Sequence, residues 1–301
     1  MHPAGAAGLQ RLGDGRRTAG GGCATRSAMP FLWLKVAVGF YCFGLLYALA
    51  AVSRPCTYLQ KIVLPTLGIG MVFHFVSLAE VAMITGHFTL SVLSIHESES
   101  LLAFLILVFF LIIYARYRTL SPGIFVFPLA FLLTFAASLA QQPPKLNSPL
   151  LWSGWIFVHI ALIFIGYAAL FLSFGASILY LVQERSLKAK RTEGWLARLP
   201  ALQVIDDIGY RSLLLGFPFM TFGLIAGSVL AQARFGPTYF HDPKIILSLF
   251  MWVVYMVLLY TRWNSGWRGR RAAYMATFAC LAALSAWAAN YFSAVHRFIA
   301  Q

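Results

Sequence analysis

Charge is what this sequence has least of. Only 11% of its 301 residues are Asp, Glu, Lys or Arg, and only 9 are acidic. So little charge cannot keep a soluble domain of this length solvated. Cysteine is scarce too: Cys23, Cys42, Cys56 and Cys280 form no Cys-x-x-Cys pair, and two of them fall inside apolar runs. That excludes a thiol relay, a zinc site and a disulfide framework. No internal repeat is evident, and paired charges inside the apolar runs are few, which weighs against a repeat-built transporter. What the chain has in quantity is apolar surface, with 60% hydrophobic residues and a mean hydropathy of +0.77. The composition implies an all-α, polytopic transmembrane helical bundle.

A hydrocarbon core about 30 Å thick needs roughly 20 apolar residues per helical crossing. Runs of that length predict about eight spans, near 31–53, 62–85, 100–115, 122–140, 156–182, 212–233, 245–262 and 272–293. The run from Leu151 to Gln183 exceeds one upright crossing, so its beginning is expected to lie along the membrane surface, anchored by Trp152 and Trp155. The inner loop Glu184–Arg211 is a candidate for docking a cytoplasmic protein, and its amphipathic part from Trp195 to Ile208 is equally suited to an anionic lipid surface. Residues 1–28 are rich in Gly, Ala and Arg without an apolar core and are expected to be a disordered tail. Met29 directly precedes the first span and is the expected true start, leaving 29–301 as a single membrane domain; intact mass checks this.

The net charge of +14 would suggest nucleic acid in a soluble protein. Here the charges lie between apolar spans, so orientation in the bilayer explains them and no nucleic acid partner is implied. The loops after spans 1, 3, 5 and 7 carry fourteen Lys or Arg, among them Arg116, Arg185, Lys188, Arg262 and Arg271; the other loops carry four. Positive-inside bias puts the first set in the cytoplasm and both mature termini on the outer face of the cell (inner) membrane. That topology sorts the histidines. His87, His96, His241 and His296 fall at the outer face, and His159 falls in the outer part of span 5. His74 lies near the middle of span 2, where an ionisable group is costly and a functional candidate by default. Glu80, six residues on, is on another helical face and need not pair with it. The inner loops contain no histidine.

Between spans 6 and 7 the ten residues from Phe235 to Lys244 put His241 and Asp242 beside Phe235, Tyr239, Phe240 and a turn-forming Pro. A polar pair within an aromatic patch suits a flat, conjugated, carboxylate-bearing ligand such as haem. The alternative is an interfacial aromatic belt closed by a capping Asp-Pro turn. Neutral imidazoles at the outer face suit haem iron, and two would hold it in a bis-His state. His159 has the alternative of hydrogen-bonding a carbonyl within the bundle.

Residues 150–296 carry Trp152-Ser-Gly-Trp-Ile-Phe-Val-His159, Gly166-Tyr167, Asp206-Asp-Ile-Gly-Tyr210, Gly216-Phe-Pro218, Asp242-Pro-Lys244, Trp252-Val-Val-Tyr255, Gly266-Trp-Arg-Gly-Arg-Arg271 and Asn290 before His296. In that order they resemble the cytochrome c assembly family, the haem-handling membrane proteins that include CcsA, CcmC and CcmF and the related HemX-type proteins. The first half resembles it through His74, Glu97–Glu99 and Phe127-Pro128. The resemblance implies that His159 and His296 are axial ligands to haem iron, that Phe235 to Asp242 form a platform under the macrocycle, and that His74 lies on the haem's route through the bilayer.

The chain departs from the family pattern in three respects. Phe235, Tyr239 and His241 stand where it carries tryptophans, Ile245 replaces the acidic residue after Pro-Lys, and Tyr260 stands where a second transmembrane histidine is expected. These departures point toward a HemX-type member. The implied function is a haem-binding protein of c-type cytochrome biogenesis, holding non-covalent haem b at the outer face. Its partners would be the bilayer, an apocytochrome c and a second membrane subunit. It would be at most the membrane component of a haem lyase. The alternative is a HemX-type regulator or scaffold of tetrapyrrole metabolism without haem turnover. The topology predicts that cysteines placed after spans 5 and 7 resist an impermeant thiol reagent added outside intact cells; labelling at either would overturn it.

Overall fold

The computed structural model describes residues 29–53, 57–84, 95–139, 154–190 and 194–289. His2, His87 and His296, with Trp152 and Asn290, lie outside the described residues. The described residues form eight α-helices: α1 (Met29–Ser53), α2 (Thr57–Ile84), α3 (Ile95–Tyr117), α4 (Gly123–Ser138), α5 (Gly154–Lys188), α6 (Leu202–Phe235), α7 (Pro243–Asn264) and α8 (Arg270–Ala288). There is no strand among the described residues. In hydrocarbon every backbone N–H and C=O needs an internal partner, which helices alone supply segment by segment. Pro65, Pro128 and Pro218 sit inside α2, α4 and α6, as transmembrane helices allow when neighbours re-satisfy the freed carbonyls.

Among the described residues six helices, α1, α2, α3, α5, α6 and α7, are long and apolar enough to cross a membrane, whereas α4 is apolar over only 16 residues. Side chains sort by size. Ala-rich α8 turns Ala272, Ala276, Ala279, Ala283 and Ala286 inward, which brings its backbone close to α5 and α7. Phe222, Ile225 and Val229 on α6 and Ile246, Phe250, Val253 and Val257 on α7 face outward. An exposed apolar face suits lipid. One packing centre joins α1 to α6 around Phe110, Phe127 and Leu172; another joins α5 to α8 around Met220, Met251 and Tyr255. Helices α5 and α6 belong to both and run antiparallel through the middle.

Two expectations about these helices are corrected. The long run that starts in Leu151 does not turn along the surface within the described residues: from Gly154 it is one continuous helix of 35 residues, about 52 Å at 1.5 Å per residue. The supposed amphipathic surface segment divides into a short 3-10 turn, Gly194–Arg198, and the opening of α6. Ile205 and Ile208 there are 1% exposed, so core packing overrides a lipid-surface role.

The opening turns of α6 are fastened to their neighbours. Arg262 at the end of α7 donates to the backbone carbonyl of Asp206 at 2.9 Å and to its Oδ2 at 2.6 Å. Its guanidinium lies 4.7 Å from the centre of the Tyr210 ring. The Gly269 N–H donates to Asp206 Oδ1 at 3.3 Å. Gly269 has φ +67°, and a Cβ there would meet the Tyr180 hydroxyl at 2.5 Å, so this loop requires glycine on both counts. Asp207 accepts from Tyr117 at the end of α3 and from Arg211. The ends of α3, α5 and α7 and the starts of α6 and α8 therefore share one end of the bundle, where the basic loops gather. The starts of α5 and α7 and the end of α6 share the other. Because the Arg262 and Asp206 side chains are only 9% and 17% exposed, Asp206→Ala leaves a largely buried guanidinium unpaired. It is expected to cost about 3 kcal/mol, read as thermal unfolding in detergent. Lys188→Ala, which breaks an exposed pair with Glu184, is expected to cost less than about 0.5 kcal/mol.

Candidate haem-ligand site

At the end of the bundle opposite the basic loops, His159 projects from the second turn of α5 against α6. Its Nδ1 lies 2.6 Å from the backbone carbonyl oxygen of Gly223. A carbonyl only accepts, so Nδ1 carries the proton and donates. In neutral imidazole that leaves the lone pair on Nε2. Nε2 makes no hydrogen bond among the described residues. A ring fixed through Nδ1–H to a backbone carbonyl, with Nε2 bare, is the arrangement in which histidine ligates metals. The Lys244 ammonium, in the first turn of α7, lies within Coulombic reach of the ring.

The segment between α6 and α7 is a 3-10 turn, Gly236–His241, entered through Gly236 at φ +63°. Phe235 is 36% exposed and Phe240 52%, and His241 is exposed as well. Tyr239 is 3% exposed. It packs with Ala231 and Ile245, its ring 4.1 Å from that of Phe240, and so serves as the floor of the turn, not an open face. Asp242 is buried and caps α7, its Oδ1 accepting from the Lys244 N–H at 2.9 Å. The capping half of the alternative reading of this stretch is therefore present. The exposed Phe235, Phe240 and His241 remain available to a ligand.

His74 has a different environment. It is fully buried, and both ring nitrogens are engaged: Nδ1 with the Tyr41 hydroxyl of α1 at 3.1 Å, Nε2 with the Ser100 hydroxyl of α3 at 2.8 Å. The Phe104 ring meets it edge-on at 5.5 Å. Glu80 makes no hydrogen bond to it, as the helical spacing requires. With both nitrogens in hydrogen bonds, no lone pair of His74 is free in this conformation. Its polar cost in the bilayer is met by two hydroxyls from adjacent helices. Tyr260, where a second transmembrane histidine would stand, is 61% exposed on the outside of α7. Trp252 and Tyr255 tie α7 to α6 by donating to Thr221 Oγ1 and to the Leu213 carbonyl, each at 2.9 Å.

Tyr41, Ser100, Gly223 and Gly227 escaped the sequence reading. The Gly-x-x-x-Gly spacing at 223 and 227 was the available signal for a close helix contact there. Nothing local to Tyr41 or Ser100 indicates that they meet His74.

A multi-pass helical membrane protein with a pre-oriented imidazole at one end is the class these features define. Residues 92–296 match the family described as Cytochrome C assembly protein, and the chain belongs to that family. It is 30% identical over 220 residues to the cytochrome c biogenesis protein CcsA of Heterosigma akashiwo, covering 62% of this chain and 68% of that one. It is 31% identical to the CcsA of Guillardia theta over 215 residues, covering 64% and 69%. The cytochrome c heme lyase CcmF shares its fold with a TM-score of 0.59 at 15% identity. That likeness covers 97% of this chain, which spans about half (52%) of the CcmF chain.

The hydroxyl clasp on His74 generates a prediction. Ser100→Ala strands one buried ring nitrogen and is expected to destabilise the protein by about 1–3 kcal/mol. Tyr260→Phe, on the exposed face of α7, is expected to change stability by less than about 0.5 kcal/mol. Thermal unfolding in detergent compares the two.

Proposed function

We propose that this chain is a haem-binding membrane protein of c-type cytochrome biogenesis, holding haem b non-covalently at the end of the bundle that carries His159. The observation that carries this reading is the Nδ1–H bond from His159 to Gly223, which orients the ring and leaves Nε2 for iron. Family membership supplies the context, since the relatives are cytochrome c biogenesis proteins. The residues present fit the group: an imidazole of fixed tautomer, exposed aromatic rings at Phe235 and Phe240, and the Lys244 cation for an anionic edge. His296 is the proposed second axial ligand, with His241 its rival from the exposed turn. Bound haem supplies the vinyl carbons that the thiols of an apocytochrome c would attack. This chain's own residues bind and orient: His159 through Nε2, the aromatic rings by packing, and the Gly223 carbonyl by holding the ring in place.

Gathering of the basic loops at the opposite end supports an outward-facing His159 and placement in the inner membrane by the positive-inside rule. An apocytochrome c and a second membrane subunit are the proposed partners. A second reading, a HemX-type scaffold without haem turnover, is favoured by a specific observation. His74 has both nitrogens occupied, and Tyr260 faces outward where a second transmembrane ligand would be.

The purified protein is expected to show a low-spin bis-His haem spectrum. His159→Ala and His296→Ala should each lower haem retention or convert the spectrum to high-spin, because one axial bond is lost; His241→Ala should change it less. Loss of binding in His241→Ala alone, with His159→Ala and His296→Ala normal, would reassign the ligand. A parent protein that takes up no haem supports the scaffold.

A further inference from the structure

We propose that Gly227 is a positioning residue for His159: its missing side chain is the seat of the imidazole, and any Cβ there would turn Nε2 away from its ligand. The proposal rests on the reading of His159 as a haem ligand and adds the residue that sets its direction. A Cβ built on Gly227 would overlap the His159 ring, meeting Nδ1 at 2.6 Å and Nε2 at 3.2 Å, with Cε1 closer still. These three nearest atoms all belong to the imidazole. The other close glycines of α6 differ. A Cβ on Gly223 would meet Ile163 at 2.9 Å, and one on Gly216 would meet Ala169 at 2.5 Å and the Tyr255 hydroxyl at 2.7 Å. Those two serve the approach of the helices, whereas Gly227 serves one ring.

Helix geometry explains the choice of position. The carbonyl of residue 223 points along the axis toward the N–H of residue 227, its partner in the helical ladder. Residues four apart stand one above the other on the same face. A side chain at 227 would therefore stand beside the 223 carbonyl oxygen and shield it from a neighbouring helix. With glycine there, the oxygen is open on that side and accepts from a second donor, Nδ1–H of His159, on its other lone pair. One missing side chain thus provides both the space for the ring and access to the group that fixes its tautomer. With alanine at 227 the ring must rotate about χ1 or the helices must part, and either breaks the 2.6 Å bond.

The test compares Gly227→Ala with Gly216→Ala, a close-contact glycine of the same interface remote from His159, and with His159→Ala. Gly227→Ala is expected to lose the low-spin spectrum and to retain haem about tenfold or more less tightly, the scale on which loss of a ligand's outer partner acts. Added imidazole should restore the low-spin band. Gly216→Ala should keep the parent's spectrum at whatever melting temperature it shows. A measurement without haem guards against failure to fold. Gly227→Ala should lower the melting temperature of the parent but not of His159→Ala, because the ring it strikes is gone. If Gly227→Ala keeps the parent's spectrum and midpoint potential while His159→Ala loses both, the positioning role is overturned and the haem reading stands. An unchanged spectrum in His159→Ala would overturn the two together.

Discussion

The close antiparallel contact of α5 and α6 is the constraint on which the rest depends. Both helices are longer than the hydrocarbon is thick, and both belong to the two packing centres of the bundle. Lipid offers no hydrophobic force to press helices together, so their approach rests on small residues, van der Waals contact and hydrogen bonds. Gly216, Gly223 and Gly227 on α6 provide the small residues, and the His159–Gly223 bond provides one hydrogen bond. At the other end of the pair, Asp206 and Asp207 gather Arg262, Gly269, Tyr117 and Arg211 into one fastening. The two ends are unlike. The basic end closes its polar groups on one another, while the histidine end has, among the described residues, a ring nitrogen without a partner and two exposed aromatic rings.

The same logic separates the two histidines that the sequence singled out. Burial within the bilayer demands partners for both. His74 finds two, Tyr41 and Ser100, and its polarity is used up in joining α1, α2 and α3. His159 finds one at Nδ1 among the described residues, so its second nitrogen keeps a purpose. Hydrogen bonding to carbonyl was the ordinary explanation for a histidine inside a bundle, yet at Nδ1 it also prepares Nε2 for a metal. The ordinary and the functional accounts of His159 are therefore not rivals.

How much of this the sequence disclosed varies by element. Apolar length disclosed the all-α bundle and the eight helices among the described residues, because burial in lipid is a one-dimensional property of a segment. Helix ends were less legible. The opening of α6 looked amphipathic, and only the packing of Ile205 and Ile208 reveals that its apolar side faces protein. The turn after α6 was legible as chemistry, since Asp242 before Pro243 is a cap signal, but not as geometry. Tyr239 looked equivalent to Phe235 and Phe240 and is instead the buried member. Least legible were the partners, such as Ser100 for His74 and Gly227 for His159. A side chain's partner on another helix is set by tertiary register, which no local pattern contains.

The tautomer of His159 tests the central claim most directly. In the haem-free protein labelled with 15N-histidine, His159 is identified by the resonances lost in His159→Gln. The expected ring is neutral and protonated at Nδ1, with an unprotonated Nε2. A ring protonated at Nε2 would contradict it, because Nδ1 would then have no proton to donate to the Gly223 carbonyl and Nε2 no lone pair for iron.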